Sequence, residues 1–530
     1  ANAHDTITRR NELLMESLQS IYSKCEGHRS QFLERGRDSS RITIPTILPE
    51  EGRTSATRYP TPYQSIGARG VNNLSSALLL SLLPPNAPFF RLMVDEETKM
   101  ELEAVDPRVV TEVEKSLSKV ERAVMDEIEV NGIRTGLFDA LRHLIVTGNA
   151  LLYFPDGGMM RVVHLDRYVV KRCPLGRVRM VIVKESVSPV MLPPELRGMA
   201  GEPSSDSYED HLDMYTGMVT IDDKTIEVYQ EIKGQIIEST RRQIPTEESP
   251  FIPLRMGRVD GEDYGRGYVE QYYGDLQSLE GLTRALVEGT AAASKLLFLV
   301  NPNGTTRART LAESPNGAIR EGSAGDVSVL QSQKAQDFSV ALNTINKIEE
   351  RLSYAFLLVE GSIRNADRVT AEEIRLVTQA IERQLGGIYS ILSRELSLPL
   401  VRTIMRVMKK ENKLPAVPED KVTPTIITGI EALGRGNDLN RLDTFLSGIG
   451  QLLGPEALNQ YVNFSEYLKR RALSLGVDVD GLIRSEEELQ MQAMQQQEAM
   501  QQQMMLQQTA AAAQQEQQIE QAQQSEEATE

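Results

Sequence analysis

Cysteine is nearly missing from this chain: of 530 residues only Cys25 and Cys173 are cysteines, far apart and in no CxxC pair. That excludes a disulfide framework and a cysteine-based zinc site, and it fits a reducing compartment. Long apolar runs are missing as well. The longest, Leu78 to Leu83, stops at Pro84 and Pro85, and the later Leu296 to Val300 follows Lys295, so neither approaches the ~20 residues of a membrane span. The opening residues Ala1-Asn2-Ala3-His4-Asp5 show no basic-then-apolar signal pattern, and the expectation is a protein without a membrane partner that works in a cytoplasm or in something assembled there. Positive charge is in deficit. With 58 Lys and Arg against 75 Asp and Glu the formal net charge is −17, so the surface as a whole cannot neutralise many phosphates, and tight nonspecific binding of nucleic acid is disfavoured.

The motifs of familiar enzymes are absent too. No GxxxxGK followed by Ser or Thr occurs, so this is not a P-loop ATPase. Tyr264-Gly265-Arg266-Gly267-Tyr268 has the wrong glycine order for a dinucleotide fingerprint and reads as a turn. The histidines His4, His28, His143, His164 and His211 share no HExxH or i,i+4 spacing, which gives no metal site. Acidic pairs such as Glu349-Glu350 and Glu372-Glu373 could hold Mg²⁺ in a nuclease, but Glu372 and Glu373 fall in a helix's first turn, where acids favour the macrodipole, and Glu349-Glu350 sit on a solvated face. No serine or cysteine carries a nucleophile's flanking motif. The expectation is a protein that is not an enzyme and needs no cofactor.

What is present is a chain with 40% hydrophobic and 25% charged residues, long enough for three or four domains at ~150 residues each and mainly α in its patterning. Residues 1 to 150 read as helical. Asp106-Pro107 marks a helix start, Val110, Val113, Leu117, Val120, Val124 and Ile128 recur at spacings of three and four, and Asn131-Gly132 supplies a left-handed stop. A second helix carries Leu137, Phe138, Leu141, Leu144 and Ile145 and ends at Gly148. From 150 to 255 the texture turns to β-rich runs at 150–154, 161–165, 178–183, 214–221 and 225–232, separated by turns such as Asp156-Gly157-Gly158, which predicts antiparallel hairpins in an α+β domain. The stretch 201–206 reads as an exposed loop.

Helix returns through Tyr272 to Ala293 and breaks at Asn301-Pro302-Asn303-Gly304. Residues 301–338 read as a small irregular module between two helices, the second bearing Ile345, Ile348, Leu352, Ala355 and Val359 on one face. Next comes a loop with Arg364, Asn365 and Arg368, whose cationic tip could touch a phosphate backbone without reading bases. Thr370 with Glu373 then forms a capping-box pattern. Ile374, Val377, Ile381, Leu385, Ile388, Leu392 and Leu396 predict one long helix until Pro399 bends or ends it, with more helix to Lys410. A proline-rich connector spans 411–425, and short helices follow to about 489. From Gln490 onward the chain is almost entirely Gln, Ala, Met and Glu without Gly or Pro, which favours a helix ordered by neighbouring copies of itself.

Five segments resemble one family. Thr61-Pro62-Tyr63-Gln64-Ser65-Ile66-Gly67-Ala68-Arg69-Gly70 with Asn72-Asn73-Leu74, Gly148-Asn149-Ala150-Leu151-Leu152-Tyr153, and Tyr264 to Tyr268 with Gly274-Asp275-Leu276-Gln277-Ser278-Leu279-Glu280 are similar to podovirus portal proteins, the head-to-tail connectors of short-tailed bacteriophages. So are Arg368-Val369-Thr370-Ala371-Glu372-Glu373-Ile374-Arg375 and Leu385-Gly386-Gly387-Ile388-Tyr389-Ser390-Ile391-Leu392. The similarity runs collinearly from about residue 15 to 485.

The resemblance implies a portal-type ring subunit with an α+β wing, a stem, a clip and a crown, plus a C-terminal helical barrel. On this chain the wing takes 1–268, a stem helix 269–300, the clip 301–338, a second stem helix 339–361, a tunnel loop 362–369, a long helix from wing to crown 370–410, the crown 411–489 and the Gln-rich end 490–530. It further implies a ring, typically of twelve subunits, at one capsid vertex of the virion, assembled in the host cytoplasm, through which double-stranded genome DNA enters in packaging and leaves in ejection. Arg364, Asn365 and Arg368 would face that DNA. Arg307, Arg309 and Lys334 would meet the terminase and then the tail adaptor, with major capsid and scaffolding proteins as further partners. The alternatives are another tail or adaptor ring without a DNA-gripping role and, further off, a DNA-processing enzyme.

Overall fold

The computed structural model describes residues 16–53, 56–84, 89–93, 100, 107–193, 196, 197, 199, 211–293, 297–330, 335–358, 371–385, 387–414, 425–428, 443–451, 467, 468, 471 and 494. They divide into two units, Ala1–Ala432 and Leu433–Glu530. In the second, a helix at 443–451 carries Asp443, which accepts from the Tyr467 hydroxyl and pairs with Arg471 at 3.4 Å. The first unit is mainly helical with antiparallel sheets.

Among the described residues its amino-terminal part contains the helices α1 (Leu18–Arg41), α2 (Ile66–Leu82), α3 (Pro107–Val130) and α4 (Ile133–Thr147). Ser17 caps α1 by accepting from the Ser20 amide, and the orphan amides of Leu18 and Gln19 donate to Glu231, a fully buried carboxylate, at 2.6 and 3.2 Å. Two unmet donors at a helix start are thereby satisfied from a strand far away in sequence. In α3 the predicted stripe is the buried one, with Val113, Leu117, Val120, Val124 and Ile128 all in the core. Gly132, between α3 and α4, and Gly148, after α4, stand at φ +61° and +78°, the left-handed stops that the sequence announces.

The β-rich part has two sheets. The smaller is three-stranded in the order β3 (Arg161–Val163), β2 (Asn149–Tyr153), β9 (Phe251–Arg255). The larger is a five-stranded antiparallel meander of β4 (Tyr168–Arg172), β5 (Val178–Val187), β6 (Leu212–Thr220), β7 (Thr225–Ile232) and β8 (Gln235–Pro245). Its α1-facing side chains, among them Val169, Ile182, Tyr215 and Tyr229, pack on Leu18, Ile21, Tyr22 and Cys25. The predicted β runs are all strands; β4, β8 and β9 were not anticipated. A further strand, β1 (Phe90–Met93), interrupts the stretch read as helical and pairs antiparallel with β12 (Thr425–Thr428). Glu121 of α3 holds it, accepting from the Leu92 amide at 2.6 Å and from Arg91 at 2.9 Å.

Beyond β9 a short turn of helix (Tyr268–Gln271) leads into α5 (Tyr273–Ala293), then β10 (Leu297–Val300), β11 (Val327–Leu330) and α6 (Ala335–Ala355). β10 and β11 pair antiparallel, Leu297 opposite Leu330 and Val300 opposite Val327. Of the helix expected over 269–300, α5 is described as far as Ala293 and Leu297–Val300 is a strand: that apolar run gains more from a partner strand than from continuing a helix that has nothing to pack on.

The long helix expected from Thr370 to Pro399 is likewise corrected. α7 (Ala371–Leu385) ends where Gly387 takes φ +84°, a new turn covers Ile388–Leu392, a π-helical turn covers Ser393–Ser397, and α8 runs Leu398–Lys410. Pro399 follows the π-helical turn directly, and Ser397 and Leu398 before it are helical at φ −65°, so it neither ends the helix nor starts a separate one: the wider turn just before it is where the helix accommodates a residue without an amide donor. The stripe itself survives the break, with Ile381, Leu385, Leu392 and Leu396 buried in the main core beside α2, α3, α4 and β2. The 201–206 loop, Lys334, the loop 362–369 with Arg364, Asn365 and Arg368, Thr370, and the Gln-rich end apart from Met494 lie outside the described residues.

Candidate functional site: the hairpin arm and its base

Three of the five segments that carry the family resemblance, 61–74, 148–153 and 264–280, make contacts at the base of the α5–α6 hairpin. Asn149, first residue of β2, clasps Gly265 reciprocally: its amide nitrogen donates to the Gly265 carbonyl at 2.8 Å and its oxygen accepts the Gly265 amide at 2.7 Å. The approach is so close that a Cβ on Gly148 would fall 2.3 Å from the Arg266 carbonyl carbon, and one on Gly267 2.3 Å from the Val146 oxygen. Backbone against backbone at that distance leaves no room for any side chain. Next to it, the amides of Tyr63 and Gln64 donate to the two oxygens of Glu280 on α5 at 2.9 and 3.2 Å, and Arg284 lies over the Tyr63 ring. On the other side Asn73 of α2 donates to the carbonyls of Phe356 and Leu357, both at 3.0 Å, where α6 ends and Leu357 takes φ +57°. A Cβ on Gly70 would strike Phe356 at 2.5 Å. Each helix of the hairpin is thus gripped at its root by one half of the segment 61–73.

Away from the root the burial changes. Leu276 and Leu279 of α5 and Ile345, Ile348, Leu352 and Ala355 of α6 are in the core, but between 280 and 344 no described side chain is buried. Val287, Val340, Leu342 and Tyr354 expose about half or more of their surface on the two helices, and Phe298, Leu299 and Ile319 do so at the tip. This is an arm that projects without a core of its own. Its tip is held by polar contacts: Asp326 accepts from the Thr305 and Thr306 amides at 2.7 and 3.0 Å and from the Thr305 hydroxyl at 3.1 Å. The Thr306 amide, with the Thr305 hydroxyl and amide beside it, holds the Asp326 carboxyl below its usual range.

Of the sequence-predicted contacts, the arm brings Arg307 and Arg309 together at this tip. Arg307 precedes a short helix, Ala308–Ala312, and Arg309 pairs with Glu313 at 2.9 Å while 88% exposed. Lys334, Arg364, Asn365 and Arg368 lie outside the described residues. Sequence reading missed the exposed apolar residues. A signal for them was available in α6, where Val340 and Leu342 fall off the buried stripe that Ile345, Ile348 and Leu352 define. Among the described residues no group of three or more His, Cys, Asp or Glu side chains is placed to hold a metal ion.

The chain matches the family of bacteriophage head to tail connecting proteins over residues 15–483. It is 38% identical over 497 residues to the portal protein of Escherichia phage T7 and 37% identical over 495 residues to that of Enterobacteria phage T3, with 92% of both chains covered in each case. Among solved structures, a chain from the neck of an empty gene transfer agent particle, 12% identical, covers 78% of this chain and 90% of its own length at a TM-score of 0.35. Three of the segments in which the resemblance resides contribute to the arm's root, and with most of its length matched the chain belongs to the bacteriophage head-to-tail connecting protein family.

Proposed function

We infer that this connector is the repeating subunit of a portal ring at one capsid vertex, serving as the passage for double-stranded genome DNA in packaging and ejection. The observation that carries the reading is the arm. A hairpin with no buried side chain among the described residues between 280 and 344 has too little packing to hold two long helices in place alone, and its exposed apolar residues form the kind of surface that association covers. Copies of the same arm standing side by side in a closed ring would cover it without leaving an open end. In this assignment residues 1–268 form the wing, α5 and α6 the stem, and the module containing β10 and β11 the clip. Residues 362–369 form the tunnel loop, 370–410 lead to a crown over 411–489, and 490–530 continue into a helical barrel.

The clip residues Arg307, Arg309 and Lys334 would meet the terminase and then the tail adaptor. The terminase supplies the ATP hydrolysis, and this chain supplies a passage and a docking surface. With −17 net charge per copy, a ring of such subunits repels phosphates along most of its passage, leaving Arg364, Asn365 and Arg368 to grip the backbone transiently. Major capsid and scaffolding proteins would hold the wing.

Electron microscopy together with solution mass tests the ring: closed rings of about a dozen copies are expected, and a persistent monomer would sink the reading. Replacing Val340 by Asp, on the exposed face of α6, should shift the mass toward free subunits while leaving the far-ultraviolet circular dichroism unchanged. For the loop, Arg364→Ala with Arg368→Ala should change the salt dependence of packaging; an unchanged dependence would count against the grip.

A further inference from the structure

The β4–β5 hairpin turns through Cys173, Pro174, Leu175 and Gly176, with Gly176 at φ +80°. Beside this turn a cavity of about 530 Å³ opens against the loop that follows β9. Two guanidiniums line it. Arg172 donates only to backbone carbonyls, from Nε to Asp263 at 3.0 Å, from Nη1 to Gly176 at 3.2 Å and from Nη2 to Pro253 at 2.9 Å. Arg255, 7% exposed, donates from Nη1 to the Glu262 carbonyl at 3.0 Å, and its buried Nε has no partner.

The acids around the cavity are engaged elsewhere. Asp263 accepts from Lys171 and from the Arg172 amide, both at 2.8 Å, Glu262 accepts from Arg266 at 2.7 Å, Glu395 pairs with Arg258, and Asp260 is exposed. Among the described residues neither Arg172 nor Arg255 has a carboxylate oxygen within the 4.0 Å of an ion pair. Burial and then the adjacent Arg255 push the Arg172 guanidinium down to about 10, and burial and then Arg258 push Arg255 down as well. Two cations withdrawn from water beside each other, with most of the N–H groups of one unused, are a costly arrangement unless an anion joins them.

The charge selects the anion. One carboxylate, or one phosphodiester, would offset one guanidinium, whereas a phosphate or terminal phosphomonoester carries about −1.5 to −2 at neutral pH and has oxygens enough to accept from both forks. We propose that this cavity between the β4–β5 turn and the loop after β9 is a binding site for a dianionic phosphate, with Arg255 and Arg172 as its ligands.

Cys173 lines the same cavity and is partly exposed, while Cys25, the other cysteine, is buried. That makes its alkylation by neutral iodoacetamide, followed by mass spectrometry on the full chain, a reporter of occupancy. At constant ionic strength inorganic phosphate should slow the reaction saturably, about tenfold at ten times its Kd, where chloride does not, and Arg255→Gln should abolish the effect. No slowing by millimolar phosphate, or equal slowing in Arg255→Gln, would overturn the proposal. So would protection by a duplex lacking terminal phosphates when inorganic phosphate gives none, since that would make the groove a DNA-backbone contact. Should Arg255→Gln fail to fold, phosphorus NMR of inorganic phosphate with the natural chain decides: line broadening is expected, lost once Cys173 is carbamidomethylated, and broadening that survives the modification overturns the site.

Discussion

Two buried residues, His143 and Glu231, show how single groups set the stability of this chain. Burial, with His164 and Arg142 adding to it, pushes the His143 imidazole down to about 3, and its ring packs edge-on against His164 with centroids 4.6 Å apart. The folded chain therefore keeps His143 neutral, while the unfolded chain protonates it below about 6.5. Stability from this group is complete above that value and is lost as the pH falls toward 3, at roughly 1.4 kcal/mol per pH unit inside the window. Denaturant midpoints measured between pH 7 and 4 should show that slope in the natural chain and a shallower one in His143→Phe. Glu231 is the second case. Its carboxylate is the acceptor for two α1 amides, so Glu231→Ala should cost about 2–3 kcal/mol by leaving both without a partner, seen as a lower urea midpoint with early loss of α1. Glu231→Gln, which keeps one acceptor, should fall between.

Among elements, the junction of α4 and β2 with the 264–268 turn sets where the hairpin leaves the body. Asn149→Ala removes both arms of the clasp and strands the buried Gly265 amide and carbonyl, an expected loss of about 2–4 kcal/mol. Limited proteolysis should then cut within 257–266 well before global unfolding. By contrast, Arg351→Ala removes only an exposed ion pair with Asp275 and should change the midpoint by less than about 1 kcal/mol.

What could be read from the sequence follows the same division. α3, α4 and α6 were legible because their apolar residues repeat at helical spacing, and α3 and α4 also because Pro107, Gly132 and Gly148 mark their ends. β8 was not, because its residues alternate between half-buried and exposed and include Arg241, Arg242 and Gln243, which carry no apolar period. Nor was the division of the 370–410 segment, since the apolar stripe continues across Gly387 while the backbone does not. β1 and β12 are four-residue strands that exist only because they find each other, a long-range fact that no local pattern contains. At the arm, Arg307 and Arg309 were visible as charges in a polar loop. The exposed Val340 and Leu342 were invisible as a surface until the buried stripe of α6 was known.

For the whole molecule, charge and shape oppose each other. Apolar surface on the arm favours association, and a net charge of −17 on every copy resists it. Repulsion between copies acts over a Debye length of about 30 Å at 0.01 M salt and about 8 Å at 0.15 M. Ring formation, followed by light scattering, should therefore strengthen with added salt, whereas assembly held mainly by ion pairs would weaken.

The pairing of β1 with β12 also sets a birth order. A ribosome delivers Phe90–Met93 early and Thr425–Thr428 near the end of the first unit, so through most of synthesis β1 must wait with its hydrogen-bonding edge open. Glu121, which follows β1 closely, takes the Leu92 amide and Arg91 and keeps both contacts in the finished fold with β12 paired, so it can hold β1 against α3 in the interval without covering the edge that β12 takes. β1 is thereby positioned before its distant partner strand leaves the ribosome, and a chain truncated before residue 425 would keep that edge exposed for good.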